Sequence, residues 1–162
     1  MPPSDGPFLA TLADASAIAE LLDAFNTEFD VPTPGVEVLY NRLVELLHGD
    51  RVFAVVDARP PRAVAVVSLR PNVWFDGPVA LLDELYVQPH HRSTGIGAAL
   101  LAAVRSEAQA RGVEHVEINV DEGDVDARRF YERNGFSVVD ADTGECALYY
   151  SGPARWRPDD RT

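Results

Sequence analysis

The stretch Val87-Gln-Pro-His-His-Arg92-Ser-Thr-Gly95-Ile-Gly97-Ala98-Ala99-Leu100 decides how the rest of the chain is read. It begins at the end of an apolar run, Ala80 to Val87, and leads into a helical pattern carrying Ile96, Leu100, Leu101 and Val104. It is therefore a strand-to-helix turn with glycines in it. The first amides of a helix have no intrahelical carbonyl to pair with and lie at the positive end of its dipole. Gly95 and Gly97 remove side chains that would block close approach, and Arg92 adds a charge. Such a turn suits a phosphate or pyrophosphate. A Gly-x-Gly on its own is equally compatible with a turn that binds nothing.

Other phosphate-binding turns fit less well. A Walker loop requires Gly-Lys-Ser/Thr, and all 14 basic Lys or Arg positions of this chain are arginine. The dinucleotide fingerprint wants Gly or Ala where Leu100 stands, so that helix and strand pack closely. Glu117 lies near the spacing of a ribose-binding acid, but the turn comes in mid-chain after what reads as an antiparallel hairpin.

Working outward, residues Phe8 to Leu12 read as a short strand. Asp14 is placed to cap a first helix whose face carries Ile18, Leu21, Leu22, Phe25 and Phe29. Val31-Pro-Thr-Pro-Gly35 breaks that helix, and a second runs from Val36 to Leu47. Val52 to Val56 and Ala63 to Leu69 form a hairpin around Asp57 to Arg62, and the loop Pro71 to Pro78 leads into the strand ending at Val87. Gly112 ends the helix after the turn. His115 to Val120 is a strand, Val125 to Arg133 a helix closed by Asn134-Gly135, and Phe136 to Asp140 and Ala147 to Tyr150 are two last strands. The order is β-α-α-β-β-β-α-β-α-β-β, an α/β chain of the mixed α+β kind.

The 162 residues suit a single domain over 1–150, with a flexible Pro/Arg/Asp-rich tail at 151–162. A net charge of −12 argues against a nucleic-acid partner and is compatible with a cationic substrate. No stretch approaches the roughly 18 uninterrupted apolar residues of a membrane span, and Met1 to Ala10 has no signal-peptide pattern. Cys146 is the sole cysteine, which rules out an internal disulfide or a cysteine-built metal site, and the histidines are too scattered for zinc. The expectation is a cytoplasmic protein with no membrane partner and no metal.

At this point a resemblance enters. Arg92-Ser-Thr-Gly95-Ile-Gly97 resembles the Arg/Gln-x-x-Gly-x-Gly/Ala signature of the GNAT superfamily of N-acetyltransferases, and Val87-Gln-Pro89 resembles the Val-x-Pro that usually ends its preceding strand. A second block, Asp124-Val-Asp-Ala127-Arg-Arg-Phe130-Tyr131-Glu132-Arg-Asn-Gly135-Phe136, is similar to the family's Asn-x-x-Ala-x-x-Phe-Tyr-Glu-x-x-Gly-Phe, with Asp124 in place of Asn. The motifs cover about residues 80 to 137, and the element order agrees along the whole chain.

The resemblance implies a mostly antiparallel central sheet with a splayed strand pair and acetyl-CoA as co-substrate. The pantetheine arm would pair with the backbone of Leu85, Tyr86 and Val87. The pyrophosphate would sit on the amides of Arg92, Ser93, Thr94, Gly95, Ile96, Gly97 and Ala98. The contact made in the family by the Asn at position 124 would be altered by Asp124. The implied reaction is transfer of acetyl to a primary amine, a small molecule in preference to a protein, by direct attack in a ternary complex. Terminal strands mediate dimers in many members, so a homodimer is compatible. The alternatives from other classes are a non-catalytic acyl-CoA binding module and a dinucleotide-binding domain.

Amine acetylation needs one group to accept a proton from the ammonium and another to return one to the sulfur. Tyr131 matches the family tyrosine that serves as general acid; its plain structural alternative is packing beside Phe130 and Phe136. For the base, the glutamate of N-terminal acetyltransferases is replaced here by Asn119, which leaves Glu84 as the candidate. Glu84 alternates with Leu85 and Val87, so it points into the cleft where burial raises its pKa, unless it is one of many solvated acids; a bulge would change the facing of Asp83. The acceptor pocket is assigned to Phe29, Tyr40, Trp74 and Asn119, with Phe75 and Tyr149, beside the acids Glu28, Asp30 and Glu37. Aromatic walls with carboxylates suit an organic cation, although the same aromatics can be core members.

Overall fold

A computed structural model describes residues 6–155 and residue 157. Part of the expected tail, residue 156 and residues 158–162, lies outside the described residues. The chain divides into two compact units, the first ending at Ile118 and the second beginning at Asn119.

The first unit is a five-stranded sheet with strands in sequence order: β1 (Phe8–Leu9), β2 (Val52–Val56), β3 (Ala63–Arg70), β4 (Val79–Val87) and β5 (Val116–Ile118). Three pairings are antiparallel and only β4 with β5 is parallel. The helices are α1 (Ala15–Glu28), α2 (Val36–His48) and α3 (Ile96–Ala110). β2 and β3 are Val/Ala runs buried on both faces, as expected of central strands covered by helices.

Ala54, Val56, Val64, Val66 and Tyr86 share a core with Ile18, Ala19 and Leu21 of α1 and Leu43 of α2. The alternate residues, Phe53, Val55, Ala65 and Val67, face the other way, where Arg111 just past α3 lies 4.8 Å over the Phe53 ring. α3 buries Leu100, Leu101 and Val104 almost fully, each contributing roughly 1.5–3 kcal/mol. Gly112 stops α3 at φ 79°: its amide bonds to Gln109 and that of Val113 reaches Ala108, the paired bonds of a glycine-ended helix.

Asp14 stands at the N-cap position of α1, but its side chain makes no cap bond to the helix. A 3₁₀ turn at Leu12–Asp14 precedes the helix, and the Asp14 carboxylate takes the Thr11 amide at 2.8 Å and both Arg59 donors, at 2.7 and 2.9 Å. Nearly buried, it is held below the ordinary carboxylate range, first by Arg59 and then by Thr11.

The second unit contains α4 (Val125–Arg133). The two strands expected at Phe136 to Asp140 and Ala147 to Tyr150 reduce to one bridged pair, Val139 with Cys146. Between them Asp140 turns the chain by accepting the amides of Asp142 and Thr143, with Gly144 at φ 72°. Among the described residues no helix is long and apolar enough to cross a membrane, and no three His, Cys, Asp or Glu side chains gather as a metal site.

Candidate active site

β4 changes character halfway along. Its antiparallel register with β3 runs Val67 to Leu82 and then Val66 to Glu84, so Asp83 is an extra residue, a β-bulge. Its parallel pairing with β5 reaches Ala80, Leu81 and Leu82 and ends there. From Asp83 to Val87 the strand pairs only with β3 among the described strands. The parallel pairing thus ends at the residue before the bulge.

Because paired residues share a sheet face, Glu84 lies on the side of Val66 and Tyr86, toward α1 and α2, while Leu85 and Val87 lie on the α3 side. Glu84 is partly buried, and its carboxylate has no hydrogen-bond or ion-pair partner among the described residues. Burial, with the charge of Asp83 second, pushes its pKa up. Asp83 itself is exposed.

Beyond Val87 the chain makes a 3₁₀ turn at Pro89–His91, where the Thr94 hydroxyl donates to the His91 carbonyl at 2.6 Å. Ser93 and Gly95 then adopt left-handed conformations, φ 60° and 86°. Gly95 is the N-cap of α3 and offers no side chain, so nothing of its own covers the first helical amides. The amides of Ser93 to Ala98 donate to no acceptor among the described residues, and a Cβ on Gly95 would meet nothing within 4 Å. The donor set and the open space above it fit a pyrophosphate. The Arg92 amide does not join that set, since it bonds to the Pro89 carbonyl at 3.3 Å.

The Arg92 side chain also has a different use from the one expected of it. Its Nη1 and Nη2 reach Glu28 Oε1 and Oε2 at 2.6 and 2.8 Å, and its Nε donates to the Val87 carbonyl at 2.8 Å. Tyr86 Oη donates to Glu28 Oε2 at 2.9 Å, and the Tyr86 ring stacks on Phe25 at 4.9 Å. Glu28, expected among the acids of an acceptor pocket, is thus neutralised by an arginine. Arg92 and then Tyr86 hold its carboxyl below the usual range.

The expected aromatic pocket does not assemble as one group. Phe29 follows Glu28 and packs edge-on against Phe25, beside the Val87 end of β4. Trp74 lies in the loop entering the other end of this nine-residue strand, which spans about 26 Å, and is 86% exposed. Phe75 stacks on His115, and Tyr40 is an exposed residue of α2.

In the second unit Asn119 is exposed. Asp124 is the N-cap of α4, its carboxylate accepting the Ala127 amide at 3.0 Å, a bond that Asn makes equally well. At the other end Gly135 turns at φ 84°, its amide bonds to Glu132, and Phe136 N–H reaches the Tyr131 carbonyl at 3.0 Å while the two rings meet edge-on. The Tyr131, Gly135 and Phe136 of the second sequence block are thus also the parts of a helix stop.

The comparisons with known proteins agree. The sequence model of the "Acetyltransferase (GNAT) family" matches residues 16–136, a span that runs through both units. The chain is similar to a solved, provisionally assigned acetyltransferase of Arthrobacter sp. FB24, at 49% identity and TM-score 0.86, over 93% of this chain and 96% of that one. At 16% identity it shares the fold of an aminoglycoside N-acetyltransferase solved with CoA, at TM-score 0.74 over 94% of this chain and 97% of that one. A mycothiol acetyltransferase of Thermobispora bispora is 39% identical over 62 residues, which is 38% of this chain and 21% of that protein. The chain thus spans only about a fifth to a quarter of the curated mycothiol acetyltransferases it matches. A strand that loses its neighbour at a bulge, a helix start with bare amides, and a family match across both blocks lead to one conclusion: the chain belongs to the GNAT family of acetyltransferases.

Proposed function

We propose that the chain transfers acetyl from acetyl-CoA to the primary amine of a small, positively charged molecule. The observation that carries this reading is the sequence of features along β4. β5 leaves after Leu82, the bulge falls at Asp83, the half-buried Glu84 follows, and the bare amides of Ser93 to Ala98 come after the strand's end. Leu85, Tyr86 and Val87 would offer backbone groups to the pantetheine amides, and the turn would hold the pyrophosphate. Bound there, acetyl-CoA supplies an acyl group already activated as a thioester.

An alkylamine with a pKa near ~10.4 is almost wholly protonated at neutral pH and cannot attack until it loses a proton. Glu84 takes that proton, directly or through a water. Its raised pKa brings it closer to the amine's than an exposed carboxylate would be, which favours the transfer. Tyr131 holds a phenolic proton that can pass to the departing sulfur; this assignment rests on the second sequence block. The surplus of acidic residues, net −12, favours a cationic acceptor, and an aminoglycoside N-acetyltransferase of the same fold acts on such a molecule.

Thiol release from acetyl-CoA, followed over a panel of polyamines, amino sugars and amino acids, tests the proposal. Release that depends on one class of amine, with a matching N-acetylated product, supports it. Release with none of them, or a product acetylated on oxygen, overturns it.

A further inference from the structure

Arg92 is the charged residue of the phosphate-binding turn, yet each of its three guanidinium nitrogens already makes a bond within the protein, although the side chain stays 40% exposed. Two nitrogens close on Glu28 and the third on the Val87 carbonyl. The Glu28 carboxylate takes one further bond, from Tyr86, a residue only 4% exposed that stacks on Phe25 of α1. A chain of contacts therefore runs from the last turn of α1, through Glu28, to the point where the chain leaves β4.

We infer that Glu28 is a positioning residue for CoA binding: it locks Arg92 against the end of β4, so that the turn before α3 presents backbone amides, and not the Arg92 side chain, to the phosphates. The inference rests on the acetyltransferase reading above. Physically, a planar guanidinium held by a bidentate carboxylate and a carbonyl has fixed direction, which a flexible ammonium cannot reproduce. Ser93 and Gly95 sit in left-handed conformations directly after Arg92. A turn in that state needs its entry fixed if its amides are to stay convergent.

If Arg92 were a phosphate ligand restrained by Glu28, removing the Glu28 charge would free it and tighten CoA binding. If Glu28 positions the turn, the same change weakens binding. CoA is titrated calorimetrically into the full-length wild type, Glu28→Gln, Arg92→Gln, Arg92→Lys and the double variant Glu28→Gln/Arg92→Gln, with unliganded thermal midpoints measured alongside. The expected result is a loss of about 5–20-fold in CoA affinity for Glu28→Gln and for Arg92→Gln. The double variant should be no weaker than either single variant, and Arg92→Lys should give no rescue.

With the acceptor identified, KM for acetyl-CoA should rise by the same factor in Glu28→Gln while kcat stays near the wild-type value, a split that a general loss of stability does not give. Tyr86→Phe, which keeps the ring stacked and removes one bond, should show a smaller loss in the same direction and serves as a second test if Glu28→Gln folds poorly. Unchanged or tighter CoA binding in Glu28→Gln and Tyr86→Phe, with the wild type binding normally, overturns the inference alone. A wild type that does not bind CoA overturns the acetyltransferase reading and this inference together.

Discussion

Glu84 pairs across the sheet with Val66 while Leu82, only two residues earlier, pairs with the adjacent Val67, so two side chains that regular alternation would place on one face stand on opposite faces. The bulge at Asp83 does this, and it turns Glu84 toward the α1 and α2 side just past the end of the pairing with β5.

Two consequences can be checked in a Glu84→Gln variant. As the base, Glu84 must be ionised, so kcat should rise with pH through an apparent pKa above the ordinary glutamate range, and the variant should lose about 10²–10³-fold in kcat together with that acidic limb. Stability moves the other way. The folded value lies above the unfolded one, so the unfolded chain loses its proton first and folding stability falls as pH rises from the ordinary glutamate range to the raised value. Thermal midpoints should therefore show the variant more stable than wild type at neutral pH and level with it below about pH 4.

Tyr131→Phe keeps the edge-on contact with Phe136 that closes α4 and removes only the phenol. The expected outcome is a drop of about 10²-fold in kcat with KM for acetyl-CoA little changed. A steady-state comparison showing unaltered kcat would leave the tyrosine a helix-stop residue only.

Asp14 gives a stability prediction away from the site. Its value is lowered in the folded state, so the stability it provides is complete above the ordinary aspartate range and is lost as pH falls through the folded value. Asp14→Asn should cost about 1–2 kcal/mol at neutral pH by urea denaturation. The gap to wild type should close in acid.

Gly95 separates strain from collision. Alanine there meets no atom within 4 Å but must hold φ at 86°, so Gly95→Ala should cost about 1–2 kcal/mol of stability through backbone conformation alone. Denaturant unfolding of the variant measures that cost.

Much of this was legible in the sequence where one signal dominates locally. The apolar runs bounded by turns gave β2 at Val52–Val56 as read, and the periodic stretch with its Asn-Gly stop gave α4 at Val125–Arg133 as read. What escaped is what depends on residues far apart. The partnership of Glu28 with Arg92 spans 64 positions and leaves no local trace in the sequence. The bulge was no more visible, because Asp83 and Glu84 are adjacent acids and only the register with β3 distinguishes them. Phe136 to Asp140 and Ala147 to Tyr150 have strand composition, but the turn that Asp140 builds brings them to a single bridge, and Leu148, Tyr149 and Tyr150 stay largely exposed. Composition records what a strand could be, while pairing decides whether it forms.

Binding of CoA at the turn before α3 is read from thermal stabilisation by acetyl-CoA in the wild type and in a Gly97→Glu variant that places a carboxylate among the amides opening α3. A ligand that binds only the folded state raises its stability by about 2.7 kcal/mol at one hundred times its Kd, whatever the acceptor is. The wild type should show a rise in midpoint with acetyl-CoA and with CoA and none with NAD, and Gly97→Glu should show no rise. Indifference of the wild type to both CoA forms, or a response to NAD in their place, would contradict it.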